Sequence, residues 1–157
     1  MLLVPDGSGP TLESQGASIV LQLWECPGEP HAFAGYPAQD MWLEGDDSGT
    51  LAFCAPGAIA DGPTDEFGVA TFTRALAGGG AQQGDVIVRT GGADFQVGSI
   101  AFVSPDMTGD LVVDLRDFAS FGLDFGSHEA RSDFSCDGVV DLNDFSIFGQ
   151  AFGARCP

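Results

Sequence analysis

The carboxyl-terminal third of this chain is a tandem repeat. Residues 105–126 fall onto residues 132–153 at a constant offset of 27, and 12 of the 22 paired positions are identical. Such a repeat constrains the fold strongly, because a unit too small to bury its own apolar face must bury it against its twin. Four of the identities are aspartates, at Asp106, Asp110, Asp114 and Asp117 and again at Asp133, Asp137, Asp141 and Asp144. Their spacing is that of a twelve-residue calcium loop, whose residues 1, 3, 5, 7, 9 and 12 deliver oxygens at about 2.3–2.6 Å to a hard cation.

In that register carboxylates stand at loop positions one, five, nine and twelve, and the hydroxyls of Thr108 and Ser135 stand at position three. The backbone carbonyls of Val112 and Val139 supply position seven. Gly138 fills position six, where the chain turns through φ > 0. The first loop departs from this, with Leu111 at position six and Gly109 two residues earlier. The spacing predicts two Ca²⁺ ions, which would offset four of the formal −18 charges. A solvated acidic turn is the competing reading, but such a turn has no reason to repeat in register with phenylalanines.

Those phenylalanines follow each loop. Phe118, Phe121 and Phe125, then Phe145, Phe148 and Phe152, recur at i, i+3, i+7 and predict one apolar helical face per copy. Packing the two faces together would bury six rings at roughly 1.5–3 kcal/mol each. Gly122 and Gly149 lie inside these helices and predict close helix contact, since glycine there is about 1 kcal/mol worse than alanine.

The doubled loop-then-helix unit, from Ser104 to about Gly153, resembles the dockerin domain. The resemblance implies two EF-hand-like loops, each followed by one helix, around a pseudo-twofold axis. It implies that Asp106, Thr108, Asp110, Asp114 and Asp117 hold one ion, and Asp133, Ser135, Asp137, Asp141 and Asp144 the other. Cellulosomal members carry a Ser/Thr pair just before the last ligand and basic residues further along the helix. Here Leu115-Arg116 and Leu142-Asn143 stand instead, followed by Gly122-Leu123 and Gly149-Gln150.

The first hundred residues read differently. Ser18 to Trp24 alternates, with Ile19, Leu21 and Leu23 on one face. Shorter runs follow at Met41 to Leu43, Thr50 to Cys54, Val69 to Thr73, Asp85 to Thr90 and Ser99 to Val103. Gly, Pro and Asp separate them, and Gly78-Gly79-Gly80 reads as a loop. This predicts an antiparallel β-sandwich over residues 1–103, ahead of the calcium domain at 104–157, hence a mainly β chain with a small α domain. The stretch from Thr64 to Phe72, TDEFGVATF, is similar to the turn and strand of bacterial Ig-like domains of surface adhesins. That resemblance implies a turn at Gly68 and a strand whose alternate residues enter the core.

Composition excludes several function classes. The chain has 5 Lys+Arg against 23 Asp+Glu, which leaves no basic patch for nucleic acid. No apolar run is long enough for a membrane span, and Met1 to Pro10 lacks the basic and apolar regions of a signal peptide. A mature or excised piece of a secreted protein is therefore expected. Four cysteines fit an extracellular compartment. The local pairings Cys26 with Cys54 and Cys136 with Cys156 are expected, because each staples one domain. A zinc site lacks C-x-x-C spacing and histidine partners.

No catalytic constellation is evident. His31 and His128 fall in loops, Ser14, Ser48 and Ser99 have no neighbouring base pattern, and Asp46-Asp47 and Asp65-Glu66 read as solvated turns. Three function classes remain. The chain is expected to be a non-catalytic extracellular structural or adhesive subunit, partnered by copies of itself or another surface protein. The second class is an anchor docking to a cohesin-like receptor, and the third a carbohydrate-binding sandwich using Trp24, Tyr36 and Trp42. Leu2-Leu3-Val4-Pro5 is expected to add as an edge strand, either to its own sandwich or to a neighbouring copy.

Overall fold

The computed structural model describes residues 1–11, 13–15, 18–25, 31–45, 49–90 and 92–157; Cys26, Asp46, Asp47 and Ser48 lie outside them. Among the described residues eight strands form, separated by turn residues: β1 (Ile19–Gln22), β2 (Met41–Gly45), β3 (Ala52–Phe53), β4 (Ala58–Ile59), β5 (Val69–Phe72), β6 (Gly78–Gly79), β7 (Gln82–Thr90) and β8 (Ala93–Phe102). Two helices follow, α1 (Leu115–Asp124) and α2 (Leu142–Ala151). The chain is mainly β, and every strand pairing is antiparallel. One sheet has four strands in the order β4-β2-β7-β8, and two further sheets pair β1 with β5 and β3 with β6.

The alternation anticipated around Ile19 holds in shorter form. Ile19 and Leu21 pack on the core while Val20 and Gln22 face outward, and β5 opposes them with Ala70 and Phe72 buried. Met41 and Leu43 of β2 join Leu3, Val86, Val88 and Phe102 in the same cluster. The turn before β5 is built as its residues dictate. The Asp65 carboxylate accepts from the amides of Phe67 and Val69, and Gly68 takes φ +72° with its α-carbon face against the Leu23 carbonyl.

Two strands were not anticipated. β4 is a two-residue edge, and the glycines expected to form a loop include β6, which pairs with β3. Two residues give no alternation to read, and glycine argues against a strand on propensity alone.

The repeat unit has its own core, formed by Val113, Val140, Phe121, Phe148, Phe134, Met107, Ala151 and Val4. The burial differs from the expected six-ring core. Phe121 and Phe148 are buried, whereas Phe118, Phe125, Phe145 and Phe152 remain 42–51% exposed. Phe134, inside the second loop, stacks on Phe121 with ring centroids 5.8 Å apart and completes the core instead. A helix of ten residues has one central position per copy that a partner helix can fully cover, so the flanking rings stay half in solvent. The close contact expected at Gly122 and Gly149 is also absent, since a β-carbon on either would meet nothing within 4 Å.

Straps related by the same 27-residue offset hold the two copies together. The Gly126 amide donates to the Val140 carbonyl at 2.8 Å, and its counterpart Gly153 donates to Val113 at 2.9 Å. Val140 in turn donates to Ser127, and Val113 to the equivalent Ala154. Each copy thus completes the other, which gives the pair its approximate twofold symmetry.

The amino-terminal segment docks within its own chain. Leu2 bridges to Val103 and Val4 to Ala77, both parallel, and the Leu3 amide donates to the Val103 carbonyl at 2.8 Å. Leu3 enters the β core and Val4 the helical core, so two adjacent side chains tie the two clusters. Among the described residues no helix is long and apolar enough to cross a membrane.

The disulfide differs from both expected pairings. Cys54 is bonded to Cys156 across 102 residues, with α-carbons 5.6 Å apart, and Cys136 is an exposed free thiol. Each local pairing would close a short loop; the bond instead joins the residue after β3 to the end of the chain beyond α2. By loop entropy such a bridge contributes up to about 5 kcal/mol. Non-reducing peptide mapping is expected to recover Cys54 joined to Cys156, and Cys156→Ser to lower stability by roughly 2–5 kcal/mol in chemical denaturation. Recovery of a Cys136–Cys156 peptide would overturn this pairing.

Candidate functional site

Each repeat loop folds around the carboxylate at its first position. Asp106 Oδ1 accepts from the Gly109 amide at 2.9 Å and Oδ2 from the Leu111 amide at 2.7 Å. Asp133 does the same with the amides of Asp137 and Gly138, at 3.1 and 2.8 Å. At position five, Asp110 accepts from the Val112 amide and Asp137 from the Val139 amide. At position nine, Asp114 and Asp141 are the N-caps of α1 and α2. At position twelve, Asp117 and Asp144 each close a capping box and also accept from the amide at position three, of Thr108 or Ser135. The hydroxyls of Thr108 and Ser135 reach back to the first aspartate of their own loop.

The departure at position six of the first loop has a physical reason. Both loops take φ > 0 at positions four and six, through Gly109 and Leu111 in the first and Cys136 and Gly138 in the second. Each therefore contains one glycine and one side-chain residue in a conformation that costs an L-residue roughly 1–2 kcal/mol. The glycine is at position four in the first loop because a β-carbon on Gly109 would overlap the Thr50 carbonyl. The second loop is exposed, Gly138 has nothing within 4 Å, and its glycine is free to take the other place.

Burial separates the two loops. Asp106 has no exposed surface, and a β-carbon on Gly79 would overlap its carboxylate. The Gly80 amide donates to the Asp106 carbonyl at 2.6 Å. The glycine run in the β body is thus the seat of the first loop, a role no local sequence signal marks. Burial pushes the Asp106 carboxyl above its ordinary range; the amides of Leu111 and Gly109 oppose this, while the neighbouring charges of Asp117 and Asp110 add to it. Among the described residues the second loop has no such seat, and His128 Nδ1 donates to its Gly138 carbonyl at 2.5 Å.

Arg116, at position eleven of the first loop, spans two of its carboxylates. One guanidinium nitrogen lies 2.6 Å from Asp110 Oδ2 and 2.9 Å from Asp114 Oδ2. Its side-chain hydrogen bond, backbone amide and charge hold the Asp114 carboxyl below the ordinary range. Asn143 occupies the same position in the second loop and brings no charge. Among the described residues no three His, Cys, Asp or Glu side chains converge into a ready-made cage. The donor set is nevertheless chemically apt for a hard cation, since side chains at positions one, three, five, nine and twelve all end in oxygen.

One charged pair outside the loops was missed from the sequence. Asp124, at the end of α1, is buried and receives Arg131 at 2.7 and 2.9 Å and the Ser132 hydroxyl at 2.6 Å. It locks the connection between the two copies. The Trp24, Tyr36 and Trp42 trio, in contrast, offers no shared platform for a sugar. Tyr36 is buried with its hydroxyl on the Arg89 carbonyl, Arg89 covers Trp42 at 4.8 Å, and Trp24 is half-exposed.

No family model, no curated protein and no solved structure matches this chain.

Two outcomes test this geometry. Gly79→Ala is expected to lose about 1–3 kcal/mol in denaturant titration through overpacking against Asp106. Gly122→Ala, in open space on α1, is expected to gain up to about 1 kcal/mol; equal effects of the two changes would remove the docking argument. For Asp124, the Arg131 hydrogen bond lowers the folded-state pKa, with Ser132 assisting. Its contribution is present above the unfolded-state pKa of about 3.9 and is lost as pH falls toward the lower folded value. Asp124→Asn is expected to lose about 1–3 kcal/mol at neutral pH and to flatten the acid limb of the stability profile.

Proposed function

We propose that the chain is a non-catalytic, calcium-binding structural unit of an extracellular assembly, with one Ca²⁺ in each repeat loop. The observation that carries this reading is the shared irregular backbone of the loops. Two segments with glycine at different positions both adopt φ > 0 at positions four and six, around a first-position aspartate. A merely acidic surface has no need of that conformation. Asp106, Thr108, Asp110, Asp114 and Asp117 would hold one ion together with the Val112 carbonyl. Asp133, Ser135, Asp137, Asp141 and Asp144 would hold the other with the Val139 carbonyl. Bound calcium would supply the positive charge that offsets the repulsion among these carboxylates and so clamp loop to helix.

The finer reading is a dockerin-like pair of loop-helix units behind an Ig-like sandwich. The doubled loops, the twofold straps and the TDEFGVATF turn support it. A disulfide joining the two parts fits an oxidising compartment outside the cytosol. The anchor reading retains one observation in its favour, the exposed apolar face shared by α1 and α2.

Calorimetric titration is expected to show two calcium ions per chain, and chelation to lower the melting temperature of the helical part first. A site filled at 100 times its dissociation constant contributes about 2.7 kcal/mol, a large share of the stability of so small a unit. Melting unchanged by chelator at any calcium concentration would remove the proposal.

A further inference from the structure

An apolar surface of this acidic chain lies on its two helices. Leu115, Phe118, Phe145, Phe148, Gly149 and Phe152 line an open groove of ≈ 390 Å³. A second groove of ≈ 370 Å³ lies beside it, and every residue lining it is the 27-residue repeat partner of one lining the first. Phe118 and Phe145, with ring centroids 6.3 Å apart, line both grooves and form the ridge between them. Leu115 and Leu142 stand 71% exposed at the outer edges.

Three observations bear on what covers this face. First, the glycines in it have no internal purpose. Gly122 and Gly149 have nothing within 4 Å of a built β-carbon, yet each weakens its helix relative to alanine and each leaves one groove floor open. Second, the face carries no negative charge in a chain of net charge −18. The acidic residues of the two helices are Asp117, Asp124 and Asp144, and all three are buried. A basic partner would find no acid to pair with here, whereas a second copy of the same neutral face would bury no unpaired charge. Third, the area is of the right size. Four rings of roughly 200 Å² each, about half exposed, present on the order of 400 Å² of aromatic surface before the leucines are counted. With Leu115 and Leu142, which line the two grooves, the patch reaches about the upper end of the roughly 300–600 Å² of the largest patch on a typical monomer, which is the greater part of the roughly 800 Å² per partner of a stable interface.

We propose that this face is a self-association surface whose occupant is a second copy of the same chain. A ridge flanked by two equivalent grooves is complementary to itself when displaced sideways by one groove. The Phe118/Phe145 ridge of each copy then fills a groove of the other, and the contact closes as an isologous pair. This names the partner left open in the assembly reading, and it rests on that reading for its biological setting.

Sedimentation velocity of the full chain over the micromolar to millimolar range, with calcium and with chelator, tests it. The wild-type protein is expected to rise from 16.2 kDa toward twice that mass. Gly122→Glu with Gly149→Glu places a carboxylate in each groove at positions with room for it. That variant is expected to stay monomeric while keeping the wild-type circular dichroism spectrum and a melting temperature no lower than that of the wild-type protein. A wild-type protein that is monomeric throughout overturns the proposal, and so does a folded double variant that still dimerises. Stability that responds to calcium in a strictly monomeric protein sinks this inference alone. Self-association broken by the double variant, in a protein whose melting ignores calcium, supports it and sinks the calcium reading instead.

Discussion

A single buried carboxylate holds the architecture together. Asp106 has no exposed surface, yet it organises the first loop through its side chain and receives the Gly80 amide of the β body on its carbonyl. A charged group so placed is tolerable only when its oxygens are saturated with donors, and the loop amides provide them. The glycines opposite it follow from this. Any side chain at Gly79 would occupy the space of the carboxylate, and any at Gly109 would strike Thr50. The Cys54–Cys156 bond and the Leu3-Val4 step then close the same seam from other directions. The junction between the parts is thus a packed interface and not a tether.

Much of the helical part was legible because repetition makes a weak signal strong. The two helices followed from the spacing of the phenylalanines; the capping of α1 by Asp114 with Asp117, and of α2 by Asp141 with Asp144, did not, because the calcium-loop spacing assigns those four aspartates as ligands and says nothing of helix ends. What the periodicity could not show was which rings are covered. An i, i+3, i+7 pattern places three phenylalanines on one face, but a single crossing helix buries only the central one, Phe121 or Phe148. The buried ring that completes the core, Phe134, sits in a loop at a position where the first copy has Met107, so the pattern gave no reason to single it out.

The β part was legible as a class and not in its connections. Alternation located β1, β2, β5 and β7 to within a few residues, because each has one face on the core, whereas only the end of β8 from Ser99 was legible, since Ala93–Ser99 are exposed and show no buried face. β4 and β6 are too short to alternate, and β6 is glycine, whose presence is explained by Asp106 in another segment. Disulfide connectivity was misread for a similar reason. Local pairing is favoured when domains are taken as independent, and nothing in the spacing of Cys54 and Cys156 reports that the end of the chain returns to the sheet beside β3. The Asp124–Arg131 pair was equally silent in sequence, since seven residues of separation at a helix end match no pairing rule.

The two loops diverge because their surroundings do. Selection for φ > 0 at two positions can be met by glycine at either, and the choice is made by what lies against the backbone. In the first loop Thr50 excludes a side chain at position four, so the strain is carried by Leu111 at position six. In the second loop both positions are open to solvent, so strain moves to Cys136 and the usual glycine returns at position six. A sequence rule that demands glycine at one fixed position would reject the first loop. The physical requirement, a left-handed backbone at both positions around an aspartate, is met in both. Arg116 and Asn143 differ in the same local way: in the first loop the guanidinium offsets the repulsion between Asp110 and Asp114 on its solvent-facing side, and in the second loop the same position carries no charge.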